Sequence, residues 1–535
     1  MLHRCLKLLS IELFLGPLVA ISSADEVHTF NYENVLGTSF QLEVTAPARS
    51  VALRAEATVL LEIDRLSGIL SSYSEESELS VLLNGRATPR KASAELLEML
   101  DASDRWKTLS AGAFNPAVET LTRLWRQCAD EDRLPKKDEL QRAVRRARAP
   151  AWKIDPDART IVRSGACPVN LNAIAKGYII DRACRAALDA SSEITGLLLD
   201  IGGDMRVCGN AAQSIGVADP RVPADNAPLL CSVRLQNAAV ATSGNYERGF
   251  EINDTHYSHI IDPRDGMPVD EVIGATVVAP RAAEADALAT ILNVMTPEEG
   301  VSLVNRLKDT ECLVVNRDGV VLKSTGWDRR SRPAVPVVLV SQNDDAASEE
   351  TPLEPGDTKD SEPAGAEDAE EPQQPAPEPV ICDPWGQAYE MLVDLQISRP
   401  GGRRYARPYI AVWIEDAKGK PVRTLALWLG DYRWIGDLRR WYYLHRSNYR
   451  LIRAVSRASR PPGRYRILWD GMANDGKLVP NGQYTVFIEA VREHGSYQLI
   501  RRQVTLANET FNVELGRNYE ISRAALEFRE KKAGQ

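Results

Sequence analysis

The segment HYSHIIDPRDGMP, which begins at His256, holds two of the six histidines in the chain, His256 and His259, just ahead of Asp262. A metal pair on one helix face favours a spacing of four and needs a third ligand. The IIDPRDGMP that follows reads instead as a strand running into a Pro/Gly turn. Residues three apart in a strand face opposite sides, so the two imidazoles share a site only if the strand kinks, and a zinc centre is disfavoured. Taken alone, the segment is a braced turn in which Asp262 caps the chain. The sharper reading makes His259 an acid–base or binding group.

Four other fragments carry chemistry of a compatible kind. VNLNAIAKGYIIDRA (169–183) puts Lys176 and Gly177 where a loop becomes a helix, a point charge for phosphate beside a residue that admits close approach. LDIGGDMRVCG (199–209) ends a buried strand in Gly202, Gly203 and Asp204, an anion cradle or, more commonly, a plain hairpin. AVATSGNYERGF (239–250) offers Thr242, Ser243 and Gly244 at a strand end, donors for a phosphate or flavin edge or simply a polar turn. EADALAT places Asp286 and Thr290 at i, i+4, a carboxylate and a hydroxyl on one helix face, which suits a hard cation such as Mg²⁺. Each also has a bland explanation: a surface Lys-Gly at a helix start, or a packed threonine.

The elements that must position these groups are mixed. ALRAEATVLLEIDRLSGILSSY and SAELLEMLDASDRWKTLSAG have helical apolar spacing, as does EADALATILNVMTPEEGVSLVNRL. GLLLDIGGDMRVCG and EVIGATVVAP read as buried strands. The stretch 341–380 is rich in Pro, Glu and Asp with almost no large apolar residue, and reads as an extended, self-repelling linker. Beyond it, YIAVWIEDAKGKPVRTLALWLG and GRYRILWDGMANDGKLVPNGQYTVFIEAVREHG are β-runs punctuated by Asp-Gly, Asn-Gly and Pro, the grammar of a β-sandwich. Trp413, Trp428, Trp434, Trp441 and Trp469 there could form an aromatic ligand surface, but core packing is the preferred reading.

A chain of 535 residues implies two or more domains. A net charge of −9 argues against a general nucleic-acid binder while leaving small anionic ligands open. The start, MLHRCLKLLSIELFLGPLVAISSADE, has basic Arg4 and Lys7, an apolar run interrupted by Glu12, and small residues suited to cleavage after Ala24. It is too short and interrupted for a good membrane span. The expectation is therefore an exported, periplasmic or cell-envelope protein divided as 1–24 signal peptide, 25–340 first domain, 341–380 linker and 381–535 β-sandwich. Cysteines 128, 167, 184, 208, 231, 312 and 382 lack CxxC spacing, so neither a zinc site nor a disulfide framework is signalled.

In order along the chain, LGTSF at Leu36, LSSYSEESELS around Tyr73, SAGAFNPAVETLTRLW, AIAKGYIIDRA, DIGGD, ATSGNY, HIIDPRDGMP and ADALAT resemble the ApbE family of flavin transferases, from about Thr29 to Pro336. The resemblance implies an α+β, two-lobed transferase domain that moves FMN from FAD onto a Thr or Ser hydroxyl of an acceptor protein, with AMP leaving. By the same resemblance Leu36, Tyr73, Ala113, Phe114, Asn115, Asn170, Lys176, Thr242, His259 and Ile261 bind FAD. Mg²⁺ is held by the carbonyl of Ala173 with Asp286 and Thr290. The family usually has Asp where this chain has Asn115 and Asn170. The C-terminal part is similar to immunoglobulin-like regions of flagellar hook-capping proteins and to periplasmic domains of unknown function that follow ApbE-type modules.

The function that this resemblance implies is a Mg²⁺-dependent FAD:protein FMN transferase, with His259 as base candidate by family position and Lys176 as charge stabiliser. Its partners would be FAD and an acceptor protein bearing a flavinylation motif, with no nucleic acid. Peripheral association with the inner membrane through partners is allowed by this reading. Two alternatives remain open: an FAD pyrophosphatase giving FMN and AMP, and a non-catalytic flavin-binding scaffold.

Overall fold

A computed structural model describes residues 25–333 and 385–531, apart from 86, 166, 211, 223, 245–248, 399–406, 430–431, 449–450, 453–454, 493–496 and 508. The expected signal peptide, the linker 341–380 and Cys382 lie outside the described residues. The chain divides into two compact units. The second consists of residues 331–535 together with Asn31–Ser39 and Ile215–Val233, two short pieces drawn from within the stretch read as the first domain.

The principal sheet is eight-stranded, in the order Glu26–Val35, Thr38–Ala46, Gly196–Ile201, Asp204–Gly209, Ala238–Gly244, Val272–Ala279, Glu311–Asn316, Val321–Lys323, and all of it but residues 31–39 belongs to the first unit. Val272–Ala279 is buried at all but one position, as expected of a continuous apolar run inside a covered sheet. The helix Arg49–Leu70 buries Val51, Ala52, Ala55, Val59, Ile63, Leu66 and Leu70, a single stripe at i, i+3/i+4 spacing. It packs on the helix Ala175–Ala190, which packs in turn on the helix Ala282–Val294. That last helix is buried almost all round and lies against the strands Ala238–Gly244 and Val272–Ala279. A central helix of this kind can carry a polar side chain only where the surroundings satisfy it, and it carries Asp286.

The second unit is a sandwich of a four-stranded and a five-stranded sheet. The core between them contains Trp385, Val393, Ile410, Val412, Trp428, Trp469, Ile488 and Phe528. The outer face of the five-stranded sheet is also covered: Tyr409, Ala411, Trp413 and Phe487 pack with Leu438 and Trp441 from the helical excursion after Pro421–Leu429. This second cover explains why Tyr409–Asp416 is buried on both faces rather than alternating. Trp413, Trp428, Trp441 and Trp469 are therefore core residues, whereas Trp434 is 36% exposed. The six described cysteines that carry free thiols, 128, 167, 184, 208, 231 and 312, are all buried. Among the described residues, no helix is long and apolar enough to cross a membrane.

His445 ends the excursion's helix Arg439–His445, its ring 4.8 Å from that of Trp441. Its Nε2 is buried with no hydrogen-bond partner among the described residues. Burial pushes this imidazole down to about 4. A folded value below the unfolded value of about 6.5 means that the unfolded chain binds the proton first, so stability is present above pH 6.5 and is lost as pH falls toward 4. Urea unfolding of the second unit should thus lose about 2 kcal/mol between pH 7 and pH 4.5 through this residue. His445→Leu should remove that share of the acid sensitivity; an unchanged pH slope in the variant would count against the assignment.

Candidate functional site

Two helix starts meet at the centre of the site. A Cβ on Gly177, in the first turn of Ala175–Ala190, would fall 2.2 Å from the carbonyl oxygen of Ala282, the first residue of Ala282–Val294. Only glycine permits this approach. The second helix has no side-chain cap of its own at Arg281. Its first amides are satisfied from the neighbouring helix, because Ala282 N and Ala283 N donate to the carboxylate of Asp181 at 2.9 and 3.1 Å. Arg206 pairs with the same carboxylate and donates to Pro280 O at 2.9 Å, tying the strand before the helix into the joint. A carboxylate at a helix N-terminus is favoured both by the orphan amides and by the helix dipole.

This joint places Lys176 beside Asp286. Gly177 N donates to Asp286 Oδ2 at 3.2 Å, and the main-chain ladder of its helix opens at Tyr178 N to Ile174 O (3.1 Å), one residue beyond Ala173. The ammonium of Lys176 pairs with the carboxylate of Asp204. Asp204 follows Gly202 and Gly203, whose φ of +62° and +94° make a two-residue turn closing the Gly196–Ile201/Asp204–Gly209 hairpin, with Ile201 opposite Asp204. The glycine pair is thus a plain hairpin turn, and its product is the orientation of Asp204.

Asp286 is buried, and its carboxyl is pushed up to about 8 by that burial and by the nearby charge of Asp204, against the opposing pull of Lys176 and the Gly177 amide. Two buried carboxylates against one ammonium leave a local deficit of positive charge. Thr290 lies one turn along the helix and Ala173 lines the same cleft, so the groups available are a carboxylate, a hydroxyl and a main-chain carbonyl, the kind of oxygen set a small hard cation takes while retaining waters or phosphate oxygens. Among the described residues, no group of three or more His, Cys, Asp or Glu could hold a metal ion, so any cation here would depend on one carboxylate and neutral oxygens, a donor set closer to that of Mg²⁺ than of zinc.

The remaining walls come from three loops. After the helix Ala94–Leu109, Ala111 and Gly112 take φ of +49° and +87°, and Ser110 Oγ accepts from Phe114 N at 2.9 Å, fixing the Ala113–Asn115 backbone. Asn115 Oδ1 caps the following turn at Ala117 N (3.0 Å), while its Nδ2 donates to Ala147 O (2.9 Å). Asn170 N donates to Pro116 O at 3.1 Å, and its side-chain amide donates to Glu119 Oε2 at 2.7 Å. Both Asn side chains thus make donor contacts that an ionised Asp could not. In the third loop Asp262 grips Arg264 through its amide (2.7 Å) and guanidinium (2.8–3.0 Å), bracing the turn that presents His259 and Ile261. His256 faces Glu251 at 2.7 Å on the exposed face of the Gly249–Ile252/Thr255–Ser258 hairpin, whose other face buries Phe250 and Ile252.

These walls enclose a cleft of about 680 Å³ in the first unit, within the usual range for small-molecule and cofactor sites. Tyr73, Ala113, Phe114, Asn115, Asn170, Ala173, Lys176, Thr242, His259, Ile261, Asp286 and Thr290 all line it. Leu36 is not among them: with Gly37 it forms the positive-φ turn between Glu26–Val35 and Thr38–Ala46 and is counted with the second unit. Glu119 and Asp204 line the cleft as well; the sequence marks Asp204 only as part of a cradle or hairpin turn, and does not mark Glu119. Glu119 sits inside SAGAFNPAVETLTRLW, where nothing local marks it as the partner of a residue 51 positions away.

The ApbE family matches residues 36–314, and a family described as a predicted periplasmic protein (DUF2271) matches residues 390–522. The chain is 31% identical over 325 residues to the FAD:protein FMN transferase of Treponema pallidum, an alignment covering 56% of this chain and 88% of the relative. It is 29% identical over 308 residues to the protein of the same name from Vibrio cholerae, covering 55% and 89%. Among solved structures, the ApbE protein of Thermotoga maritima is similar at 28% identity with a TM-score of 0.51, over 57% of this chain and 100% of the other.

Because Asn170 donates to Glu119, Asn170→Asp should set two carboxylates against each other at hydrogen-bond distance. The expected cost is about 1–3 kcal/mol at pH 7, seen as a lower thermal midpoint of the first unit. Adding Glu119→Gln should restore most of the loss, since Gln can donate to the new Asp. A double variant no better than the single one would show that the two side chains are not partners.

Proposed function

Since the chain belongs to the ApbE family, we propose that it is an FAD:protein FMN transferase, acting on a Ser or Thr hydroxyl of an acceptor protein and releasing AMP. The observation that carries the reading is the assembly, in one cleft, of Lys176, Asp286 and Thr290 with the loops bearing Asn115, Asn170 and His259. In the reaction the acceptor oxygen attacks the phosphorus on the FMN side of the pyrophosphate. A new P–O bond forms, the P–O bond to AMP breaks, and the hydroxyl proton passes to a base. His259, presented at the cleft by the braced turn, is the base this reading assigns.

Lys176, held by Asp204, faces the cleft with its side chain one-third exposed and places positive charge where phosphate oxygens gain charge. Mg²⁺ bound through Asp286, Thr290 and the Ala173 carbonyl would neutralise pyrophosphate charge. The Ala113–Asn115 backbone, Tyr73 and Ile261 form the surfaces available to the flavin nucleotide. The departures at Asn115 and Asn170 weigh little against turnover, because both side chains serve local hydrogen bonds.

We assign the chemistry to residues 25–340, since the cleft-lining residues fall between Tyr73 and Val294. The sandwich, described over residues 385–531, localises the protein or docks the acceptor, and the DUF2271 match supports a periplasmic location for the exported chain. The acceptor is an envelope protein with a flavinylation motif; association with the inner membrane would follow from that partner.

Asp286→Asn retains an oxygen for the Gly177 amide but removes the charge, so it should keep the fold. It should reduce Mg²⁺-dependent FMN transfer to about one-hundredth or less, measured by mass spectrometry of an acceptor peptide incubated with FAD. Normal transfer by the variant would show that Asp286 is not the metal ligand. In the same assay with the wild-type chain, AMP should appear equimolar with peptide-bound FMN. Free FMN and AMP released equally fast without peptide would replace transfer by hydrolysis.

A further inference from the structure

We propose that Asp204 is a positioning residue that draws the Lys176 ammonium away from Asp286 and so keeps that carboxylate open to a divalent cation. The inference rests on the metal reading of Asp286 given above. Its starting point is a conflict in the layout. Lys176 immediately precedes the glycine whose amide touches Asp286 Oδ2 at 3.2 Å, so a four-carbon stem can bring its ammonium to that carboxylate. An ammonium seated there would occupy the place of the cation and cancel the only charge the helix Ala282–Val294 offers it.

The chain resolves the conflict by supplying a second carboxylate. Asp204 is 4% exposed and stands at the end of a two-residue turn in a paired hairpin, so its position is set by the sheet rather than by side-chain freedom. Lys176 is bonded to it. The three groups nonetheless form one cluster, because Lys176 is bonded to Asp204 and immediately precedes the glycine whose amide touches Asp286. Removing the Asp204 charge leaves Lys176 facing one buried carboxylate instead of two, and a buried ammonium takes the nearest anion. Asp204 thus separates two positive charges that the reaction needs side by side, one on the lysine and one at Asp286.

The test is a double-variant cycle on the full chain with Mn²⁺ alone as probe, followed by loss of the free-ion EPR signal and needing no turnover. Asp204→Asn should weaken Mn²⁺ binding about tenfold or more, and Asp204→Glu should recover part of it. Lys176→Met removes one positive charge from the cluster and should strengthen Mn²⁺ binding a fewfold in the wild-type background, but by about tenfold more in the Asp204→Asn background, because there the ammonium also competes for Asp286. Equal effects of Lys176→Met in both backgrounds, or a double variant as weak as Asp204→Asn, would overturn the proposal and leave Asp204 as a ligand or a purely structural residue. Failure of the wild-type chain to bind Mn²⁺ would instead overturn the metal reading of Asp286 itself.

Discussion

The site depends on how closely two helix starts approach. The carbonyl of Ala282 comes so near Gly177 that no side chain fits between them, and this contact sets the approach of the Gly177 amide to Asp286. Asp181 makes the approach favourable by giving the second helix its missing acceptor, and Arg206 balances that charge. Neither helix could be rotated or slid without breaking a buried carboxylate from its donors, which is among the costlier changes available to a protein interior. The rest of the cleft is hung on this joint by loops whose own hydrogen bonds hold them still.

Much of this architecture was legible in the residues. Periodicity located the long helices and the buried strands because each has one dominant burial pattern: the stripe of Arg49–Leu70 and the near-continuous run of Val272–Ala279. The ordered motifs identified the family, and Asp286 and Thr290 could be placed on one face from their spacing alone. The pairings made across the fold were not legible. Gly202-Gly203 announces a turn, but nothing near it says that Asp204 will meet a lysine 28 residues earlier. The start of Ala282–Val294 carries no local capping signal because its cap belongs to another helix. The positive φ of Leu36 is likewise unadvertised, since leucine rarely adopts it.

The second unit shows a different limit. Its strands were recognisable by their turns, and its tryptophans by their burial, yet Tyr409–Asp416 does not alternate. The reason lies in a helical excursion that covers the outer face with Leu438 and Trp441. A sandwich with a third layer on one side needs apolar residues on both faces of the covered strand. Compactness also assigns Asn31–Ser39 and Ile215–Val233 to this unit, a grouping that no composition shift along the chain marks.

The hydrogen bond from Asn170 to Glu119 has a consequence for how this chain can vary. Position 170 tolerates a lone change only to a side chain that still donates to Glu119, as the amide does at 2.7 Å. An aspartate arriving by itself would meet a second carboxylate at contact distance. Positions 119 and 170, 51 residues apart in sequence, are therefore free to change as a pair and constrained one at a time. Charge around the cleft can be retuned here only by two substitutions, made together or with the donor at 119 first.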